Sequence, residues 1–218
     1  MSDYDGVIFD KDGVLLDSGL NNFHWKDKAR VKAAQEKDIE LTIDQSIQVV
    51  EASTIEQIEE FLQETGMTWK DLKEIEKSVE ETKIELIKQG VIWLFPEARN
   101  TLESIDKDKT LATNAPEKVT NYTLSSFEIK NHFSSIKSTG IDNIKEYFRR
   151  KKPNPIMLEE IIRENNFENP LMIGDTKADI NAAVNAGIDS VHVLNYSDSA
   201  SGKADYEVNN ISQIKNVI

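Results

Sequence analysis

The sequence predicts an α/β protein in which a parallel sheet, covered by helices on both faces, is interrupted by an all-helical block. Over most of the 218 residues, short apolar runs alternate with amphipathic segments, which is the pattern of repeated strand–helix units. Between about residues 20 and 92 this alternation stops, and amphipathic helical segments follow one another. We therefore expect a sheet domain formed by residues 1–19 and 93–218 and an inserted helical domain formed by residues 20–92.

The elements of the sheet domain are predicted in chain order. The first strand is expected at residues 4–9, where an apolar run opens into the loop Asp10-Lys11-Asp12-Gly13. Further strands are expected at residues 110–112, 135–138, 170–173, 190–194 and 206–208. Helices are expected between them at residues 98–104, 116–127, 155–165 and 176–186. Strands that alternate with helices in this way are expected to run parallel in one sheet.

The inserted block is expected to contain four helices, at residues 22–37, 43–51, 55–65 and 69–88. In the third of these, Ile55, Ile58 and Leu62 fall at the spacing of one helix face. Two segments, Thr54-x-x-Gln57 and Thr68-x-x-Asp71, are typical of helix starts. The block is therefore predicted to be a second domain made of helices alone.

Composition and charge exclude thiol chemistry and disfavour membrane and nucleic-acid binding. The chain has no cysteine, which excludes disulfides and thiolate chemistry. No apolar run approaches the roughly 20 residues that span a bilayer, and the acidic residues 1–5 lead directly into a strand, unlike a signal peptide. We therefore expect a cytoplasmic protein. The formal net charge of −13 disfavours binding to nucleic acid or to anionic membranes.

Polar side chains follow several predicted strands at the point where each strand ends. These candidates are Asp10 and Asp12, then Thr113 and Asn114, then Lys152 in a loop, then Asp175 and Asp179. The carboxyl ends of parallel strands lie along one edge of the sheet, where ligands bind. Groups that are far apart in the sequence are therefore expected to converge in one cleft.

The expected cleft carries more carboxylates than can stay ionised without compensation. Asp10, Asp12, Asp175 and Asp179 bring up to four negative charges together. A hard divalent cation with oxygen ligands is the obvious partner, and Mg²⁺ suits a site with few carboxylates, several waters and a substrate phosphate. Lys152 adds a compact cation that suits a phosphate oxygen. The combination indicates phosphoryl chemistry, in which catalysis depends on positioning and charge stabilisation.

The Asp-x-Asp spacing of the first loop predicts two different roles. Asp10 is expected to attack phosphorus and to form an aspartyl-phosphate intermediate. Asp12 is expected to protonate the leaving alcohol and afterwards to activate water. Gly13 is expected to let backbone N–H groups approach the phosphate closely.

Four segments resemble the motifs of the haloacid dehalogenase superfamily, in the order of that family. They are Phe9-Asp10-Lys11-Asp12-Gly13-Val14-Leu15-Leu16-Asp17-Ser18, Leu111-Ala112-Thr113-Asn114-Ala115, Lys151-Lys152-Pro153-Asn154-Pro155 and Ile173-Gly174-Asp175-Thr176-x-x-Asp179. With the helices between them, these segments cover nearly the whole chain. The resemblance implies a Rossmann-like core with a helical cap inserted after the first motif, which agrees with the all-helical block found above.

The resemblance also implies roles for individual residues. Asp10 would be the nucleophile and a metal ligand, and Asp12 would be the acid/base and would bind the metal through its backbone carbonyl. Asp175 would hold the metal, directly or through water, whereas Asp179 would either do likewise or orient Lys152; we favour the second role. The metal implied is Mg²⁺.

The remaining implied roles concern the phosphoryl group. Thr113 would bind it through its hydroxyl, Asn114 would lie beside it, and Lys152 would stabilise it during transfer. His24 and Trp25, at the start of the cap, are candidate substrate contacts, with packing as their alternative.

Each motif also has a structural alternative. Asp-x-Asp-Gly by itself is typical of a turn, and Asn114 is a good helix start. Residues 145–152 are also compatible with a solvated basic face, in which Lys151 is the neighbour to be distinguished from Lys152. Asp179 is also compatible with an exposed helix position. The presence of all four motifs in order favours the functional interpretation.

The resemblance implies a phosphatase of the phosphoglycolate phosphatase-like branch, acting on a small phosphorylated metabolite. The nearest alternative is a phosphomutase of the β-phosphoglucomutase type, in which a sugar accepts the phosphoryl group. A 2-haloacid dehalogenase is a weaker alternative, because such enzymes lack an acid at the position of Asp12. A noncatalytic binding scaffold is disfavoured by the complete set of motifs.

Overall fold

The computed structural model describes residues 3–19, 25–196 and 202–218. Its strands are β1 Gly6–Phe9, β2 Leu16–Asp17, β3 Trp93–Leu94, β4 Asp108–Pro116, β5 Ser135–Thr139, β6 Pro170–Gly174, β7 Asp189–Val193 and β8 Tyr206–Val208. Within the described residues, six of these strands form one sheet in the order β5-β4-β1-β6-β7-β8, and every neighbouring pair is parallel. The predicted α/β class with a parallel sheet is therefore confirmed.

Helices cover both faces of this sheet. They are α1 Trp25–Gln35, α2 Ile43–Glu51, α3 Ile55–Thr65, α4 Trp69–Lys88, α5 Ala98–Ser104, α6 Glu117–Ser126, α7 Ile144–Arg150, α8 Ile156–Asn165 and α9 Lys177–Ala186, with 3-10 turns at Lys130–His132 and Ile211–Asn216. No helix in the described part of the chain is both long and apolar enough to cross a membrane.

Strand β1 is the centre of the core because it is buried on both faces. Val7 and Phe9 pack on one side with apolar residues of α5, α6 and the last 3-10 turn. Ile8 points to the opposite side, where it packs with residues of α8 and α9. This alternation follows from the two-residue period of a strand. It fixes the direction in which the chain enters the loop that begins at Asp10.

Helices α1 to α4 lie between β2 and β3 in the chain and form their own apolar cluster. Helices α2, α3 and α4 each begin with a capping box, at Thr42, Thr54 and Thr68. In these boxes the threonine and the residue three positions later satisfy each other's free backbone N–H groups. The local sequence therefore determines where each helix starts.

The chain enters and leaves this helical block through a short antiparallel ribbon. Leu16 pairs with Leu94 and Asp17 pairs with Trp93. The Phe95 N–H donates to the Leu15 carbonyl at 2.9 Å and extends the ribbon by one contact. This ribbon is not among the predicted strands, because two residues on each side are too few to give an alternating pattern.

Two further elements differ from the prediction. Strand β4 is longer than the expected residues 110–112. Helix α7 is not among the predicted helices, and its segment is not merely a solvated basic face. Ile144, Tyr147 and Phe148 are buried and join the apolar cluster of the helical block. Charged residues at the other positions of α7 make its apolar face hard to recognise in the sequence.

Candidate active site

Asp10 is the first residue after β1, at the carboxyl edge of the sheet. Its N–H donates to the Ile173 carbonyl at 2.8 Å, which keeps the chain paired with β6 as it leaves the sheet. Its carboxylate is buried, and Oδ1 accepts a hydrogen bond from Lys152 Nζ at 2.6 Å. Burial raises the pKa of Asp10 to about 6. Lys152 opposes this rise, and the neighbouring carboxylates of Asp179 and Asp12 add to it.

Lys152 is the central cation of the site. Its Nζ lies 2.6 Å from Asp10 Oδ1, 2.5 Å from Asp179 Oδ1 and 2.7 Å from the Ala112 carbonyl. Burial alone would lower the pKa of Lys152, but the Asp10 and Asp179 carboxylates outweigh burial and raise it. Lys152 is therefore held as a cation between two carboxylates, one directly after β1 and the other in the first turn of α9.

Asp179 is positioned by the start of α9. Its Oδ2 accepts from the Thr176 N–H at 3.0 Å, and its own N–H donates to Thr176 Oγ1 at 3.3 Å. This capping box leaves Asp179 Oδ1 for Lys152. A side chain at Gly174 would place its Cβ 2.2 Å from the Cβ of Asp179, so the end of β6 needs a glycine for this close packing. The contact with Lys152 is compatible with an orienting role for Asp179, and the same carboxylate also lies in a group with Asp10 and Asp175 that could hold a metal ion.

Asp175 completes a carboxylate cluster with Asp10 and Asp179. One carboxylate oxygen from each of the three lies within 4.8 Å of the others. Burial, followed by the charges of Asp179 and Asp10, raises the pKa of Asp175 well above its ordinary value. Asp175 Oδ1 is buried and has no hydrogen-bond partner. A buried oxygen of this kind is costly unless a cation binds it, so the residues fit a hard metal ion such as Mg²⁺.

Gly13 lies directly against this cluster. Its φ is +85°, and a Cβ there would stand 1.8 Å from Asp175 Oδ2. The turn therefore needs glycine for its backbone conformation and for the approach of Asp175. The Gly13 N–H donates to the Leu16 carbonyl at 2.9 Å, so its own amide is used within the turn.

Asp12 lies between two lysines. Its Oδ2 is 2.9 Å from Lys11 Nζ, and its Oδ1 is 2.5 Å from Lys83 Nζ on α4. Burial would raise the pKa of Asp12, but the charges of Lys11, Lys83 and Lys26 lower it well below its usual range. Asp12 is therefore an ionised carboxylate in this structure, and it connects the loop after β1 with the helical block.

Thr113 and Asn114 follow the buried part of β4. Thr113 is buried and its Oγ1 accepts from the Ala115 N–H at 3.1 Å, so its hydroxyl proton remains available for donation. Asn114 binds the backbone of Lys152 at two points. Its Oδ1 accepts from the Lys152 N–H at 2.7 Å and its Nδ2 donates to the Lys152 carbonyl at 3.1 Å. The side-chain amide of Asn114 thus holds the loop that carries Lys152.

All eight predicted site residues, Gly13 included, line one cleft of about 880 Å³ between the sheet edge and the helical block. The other lining residues include Trp25, Arg30, Val79, Lys83 and Lys151. Trp25 donates from Nε1 to the Ser18 carbonyl at 3.0 Å, which agrees with a packing role. His24 lies outside the described residues. Lys83 and Lys11 were not among the sequence candidates, although a lysine four residues after Val79 on the apolar face of α4 is a recognisable signal.

Comparison with protein families and curated sequences gives two results. The family model of haloacid dehalogenase-like hydrolases matches residues 7–193. A phosphoglycolate phosphatase of Vibrio vulnificus strain CMCP6 is 30% identical over 134 residues, which are 57% of this chain and 56% of the relative. A phosphoglycolate phosphatase of Aliivibrio fischeri is 33% identical over 102 residues, which are 44% of this chain and 42% of the relative. The matched region thus spans about half the length of these curated relatives.

Solved structures share the fold over nearly the whole chain. CbbY from Rhodobacter sphaeroides, in complex with phosphate, has a TM-score of 0.74 at 17% identity and covers 97% of this chain and 96% of its own. A hydrolase from Pseudomonas syringae has a TM-score of 0.73 at 20% identity, with the same coverage. A Thermotoga maritima protein assigned as a β-phosphoglucomutase has a TM-score of 0.64 at 20% identity and covers 98% of this chain and 97% of its own. At these identities the similarity establishes the fold alone.

Proposed function

Because this chain belongs to the haloacid dehalogenase-like hydrolases, we propose that it is a Mg²⁺-dependent phosphatase that hydrolyses a small phosphate monoester through an aspartyl-phosphate intermediate. The observation that carries this proposal is the contact of Lys152 with both Asp10 and Asp179 beside the unpaired oxygen of Asp175. The relatives named phosphoglycolate phosphatase support the same class of reaction. We also propose that the protein acts on its metabolite in the cytoplasm.

Three residues would hold the metal ion: Asp10 and Asp175 through their carboxylates, and Asp12 through its backbone carbonyl. The raised pKa values of Asp10 and Asp175 support this assignment, because both carboxylates lack sufficient compensating charge without a cation. When bound, Mg²⁺ would neutralise negative charge on the carboxylates and on the phosphate oxygens.

The proposed first step is attack by Asp10 on phosphorus. Lys152 holds Oδ1 of Asp10, so Oδ2 is the oxygen that would form the new bond. The bond between phosphorus and the ester oxygen breaks, and Asp12 gives a proton to the leaving alcohol. Lys152 balances the charge of the transferring group, and the Thr113 hydroxyl donates to one of its oxygens.

The proposed second step hydrolyses the aspartyl-phosphate and regenerates the free enzyme. Asp12 takes a proton from a water molecule, whose oxygen forms a bond with phosphorus while the bond to Asp10 breaks. Inorganic phosphate leaves and Asp10 is again a carboxylate. Asp179 acts through Lys152 by fixing its ammonium, and Asn114 acts on the same residue by fixing its backbone.

We propose the domain division that the sequence predicts, with residues 1–19 and 93–218 as the core and residues 20–92 as the cap. It is supported by the apolar cluster that joins α1 to α4 and by the ribbon through which the chain enters and leaves them, although α1 and α4 also pack with Val119 of α6. Helix α7 belongs to the core in the chain but packs with this cluster. Any separation of the two domains therefore has to include a replacement for the apolar face of α7.

A direct assay tests the proposed function. The purified protein is incubated with an aryl phosphate and a panel of phosphorylated metabolites, with Mg²⁺ or with EDTA, and released inorganic phosphate is measured. We expect release that requires Mg²⁺ and is absent from the Asp10→Asn variant. Full activity in EDTA would contradict the mechanism. Transfer of the phosphoryl group to an added sugar, in place of phosphate release, would identify the phosphomutase alternative.

A further inference from the structure

Lys151 and Lys152 are adjacent, but their side chains contact opposite parts of the cleft. Lys152 Nζ contacts Asp10 and Asp179 at the sheet edge. Lys151 Nζ instead donates to the carbonyls of Val49, at 3.3 Å, and Val50, at 3.4 Å, in the last turn of α2. It also lies 5.1 Å from the centre of the Phe148 ring. One loop therefore places one cation at the sheet edge and another at the end of α2, and both line the same cleft.

Lys151 is distinguished from the other cations of the cleft by its lack of a carboxylate partner. Lys152, Lys83 and Arg30 each form an ion pair with at least one aspartate or glutamate. Among the described residues that line the cleft, three cations have no carboxylate within 4.0 Å: Lys26, Lys151 and Lys177. Lys26 and Lys177 are exposed to solvent, whereas Lys151 is partly buried.

The carboxylates nearest to Lys151 form their ion pairs with another cation. Its charged neighbours are Glu76, Arg30 and Lys26. Arg30 contacts Glu76 at 2.5 Å and Asp27 at 3.4 Å, so these two carboxylates already have a partner. Neither carboxylate forms an ion pair with Lys151, so the Lys151 ammonium has no carboxylate within 4.0 Å. Burial lowers the pKa of Lys151 to about 8.

Arg30 is poorly placed to take a ligand itself. Besides its two carboxylate partners, its Nη1 donates to Ser46 Oγ at 3.1 Å, and Ser46 Oγ in turn donates to Asp27 Oδ1 at 2.8 Å. Lys151 has only the two long contacts to backbone carbonyls described above. An incoming anion would therefore meet Lys151 before it met a free guanidinium N–H.

We propose that Lys151 is a specificity-determining residue that binds an anionic group, a carboxylate or a second phosphate, at the leaving-group end of the substrate. This inference rests on the proposed function, because it assumes that the ester phosphate lies at Asp10 and Lys152. The cleft of about 880 Å³ leaves ample room for a leaving group between the two lysines. Substrates with an uncharged alcohol would lack this contact and would bind more weakly.

A binding experiment without turnover tests the role of Lys151. Three phosphonates that differ at the far end of the molecule serve as probes. 3-Phosphonopropionate carries a carboxylate there, and propane-1,3-diylbisphosphonate carries a second phosphonate. 3-Hydroxypropylphosphonate carries an uncharged hydroxyl group and is the neutral probe. Their dissociation constants are measured by calorimetry with Mg²⁺ present, for the wild type and for Lys151→Met, Lys151→Gln and Lys151→Arg. Lys145→Met is the matched control, because Lys145 lies on α7 outside the cleft, where it pairs with Glu59.

We expect Lys151→Met and Lys151→Gln to weaken an anionic probe by about ten- to hundredfold, the loss for one hydrogen bond to a charged group. The dissociation constant of 3-hydroxypropylphosphonate, which has no second anionic group, should not change. Lys151→Arg should retain most of the affinity for the anionic probes, and Lys145→Met should bind every probe as the wild type does. Whichever of the two anionic probes shows the larger loss identifies the anion as carboxylate or phosphate. Equal weakening of the neutral and anionic probes, or no weakening at all, would overturn the proposal, since Lys151 would then only connect the loop with α2.

A kinetic experiment separates this inference from the proposed function. Hydrolysis of phosphoglycolate is compared with that of 2-hydroxyethyl phosphate, which has a hydroxymethyl group in place of the carboxylate. We expect Lys151→Met to raise KM for phosphoglycolate alone, with kcat little changed. If the wild type hydrolysed neither ester but bound the probes as expected, the phosphatase proposal would fail and the binding role of Lys151 would stand. Absence of binding by every probe would overturn both.

Discussion

The Lys83 ammonium lies 2.5 Å from the Asp12 carboxylate, although Lys83 belongs to α4 and Asp12 to the loop after β1. The proposed acid/base is thereby ionised, since Lys11 and Lys83 hold its pKa well below the usual range. An ionised carboxylate cannot protonate a leaving alcohol. If Asp12 is the acid/base, its contact with Lys83 would have to loosen before it could protonate a leaving alcohol.

A double-mutant cycle measures this contact. Lys83→Met leaves a buried carboxylate with Lys11 as its remaining partner, so we expect a loss of about 3 kcal/mol in the free energy of unfolding, the low end for a broken buried pair. The double variant with Asp12→Asn should recover at least about 1 kcal/mol of that loss. Urea unfolding at pH 7 without Mg²⁺ provides the measurement. Lys88→Met, which removes an exposed pair on the same helix, should cost less than about 0.5 kcal/mol. Strict additivity of the two site variants would contradict the coupling.

The two aspartates of the first loop should respond differently to substitution. Asp10→Asn removes the nucleophile, so turnover of an aryl phosphate should fall to background while the circular dichroism spectrum is unchanged. Asp12→Asn should retain attack on substrates with good leaving groups but slow the breakdown of the aspartyl-phosphate, which is then trapped and detected by mass spectrometry. Asp106→Asn, in an exposed loop, is the control. Near wild-type activity in both site variants would refute both assignments.

The raised pKa of Asp10 predicts an unusual pH dependence of stability in the metal-free protein. The folded-state pKa is about 6, above the ordinary value of 3.8, so the contribution of Asp10 to stability is complete below pH 3.8 and is lost as the pH rises through 6. Relative to Asp10→Asn, the wild type should therefore gain about 1 kcal/mol in unfolding free energy between pH 7 and pH 5. Urea unfolding in EDTA tests the sign. A gain that runs towards higher pH would show that Asp10 is instead stabilised in its ionised form.

Asn114 should affect catalysis through Lys152. Asn114→Ala removes the two hydrogen bonds to the Lys152 backbone, so we expect kcat to fall by about ten- to hundredfold, the cost of a displaced catalytic group. KM should change less than threefold if Asn114 only positions Lys152. Asn114→Asp keeps the acceptor for the Lys152 N–H and should retain more activity than alanine. A rise in KM with unchanged kcat would instead indicate that Asn114 binds substrate directly.

The sequence predicted the core of the candidate site because a parallel sheet gathers its strand ends. Asp10 directly follows β1, as the rule that loops after parallel strands meet at one edge requires. Lys152, 142 positions later, follows α7 instead, and its motif identified it. The glycine at position 13 was recognised as special, but its reason in the structure is the approach of Asp175. The motif therefore identified Gly13 from the sequence, whereas the structure was needed to identify Asp175 as the neighbour that requires a glycine there.

The contributions of the helical block could not be predicted in the same way. Lys83 approaches Asp12 from a helix whose orientation depends on packing between α1, α4 and α6, and no local pattern encodes that orientation. Helix α7 has seven residues, and its apolar positions 144, 147 and 148 give less than two turns of periodicity. The sequence predicted positions that secondary structure alone determines. It did not predict positions that depend on packing between separate elements.

The short ribbon of β2 and β3 has a consequence for how this chain could change over time. Leu16 and Leu94 are paired neighbours, so the path from the sheet into the helical block begins and ends at nearly the same point. Lengthening, shortening or exchanging the segment between them would leave the register of the six parallel strands untouched. Selection could thus change the helical block above the candidate site while Asp10, Lys152 and Asp175 keep their positions, provided that the contact surfaces of α6 and α7 change together with it.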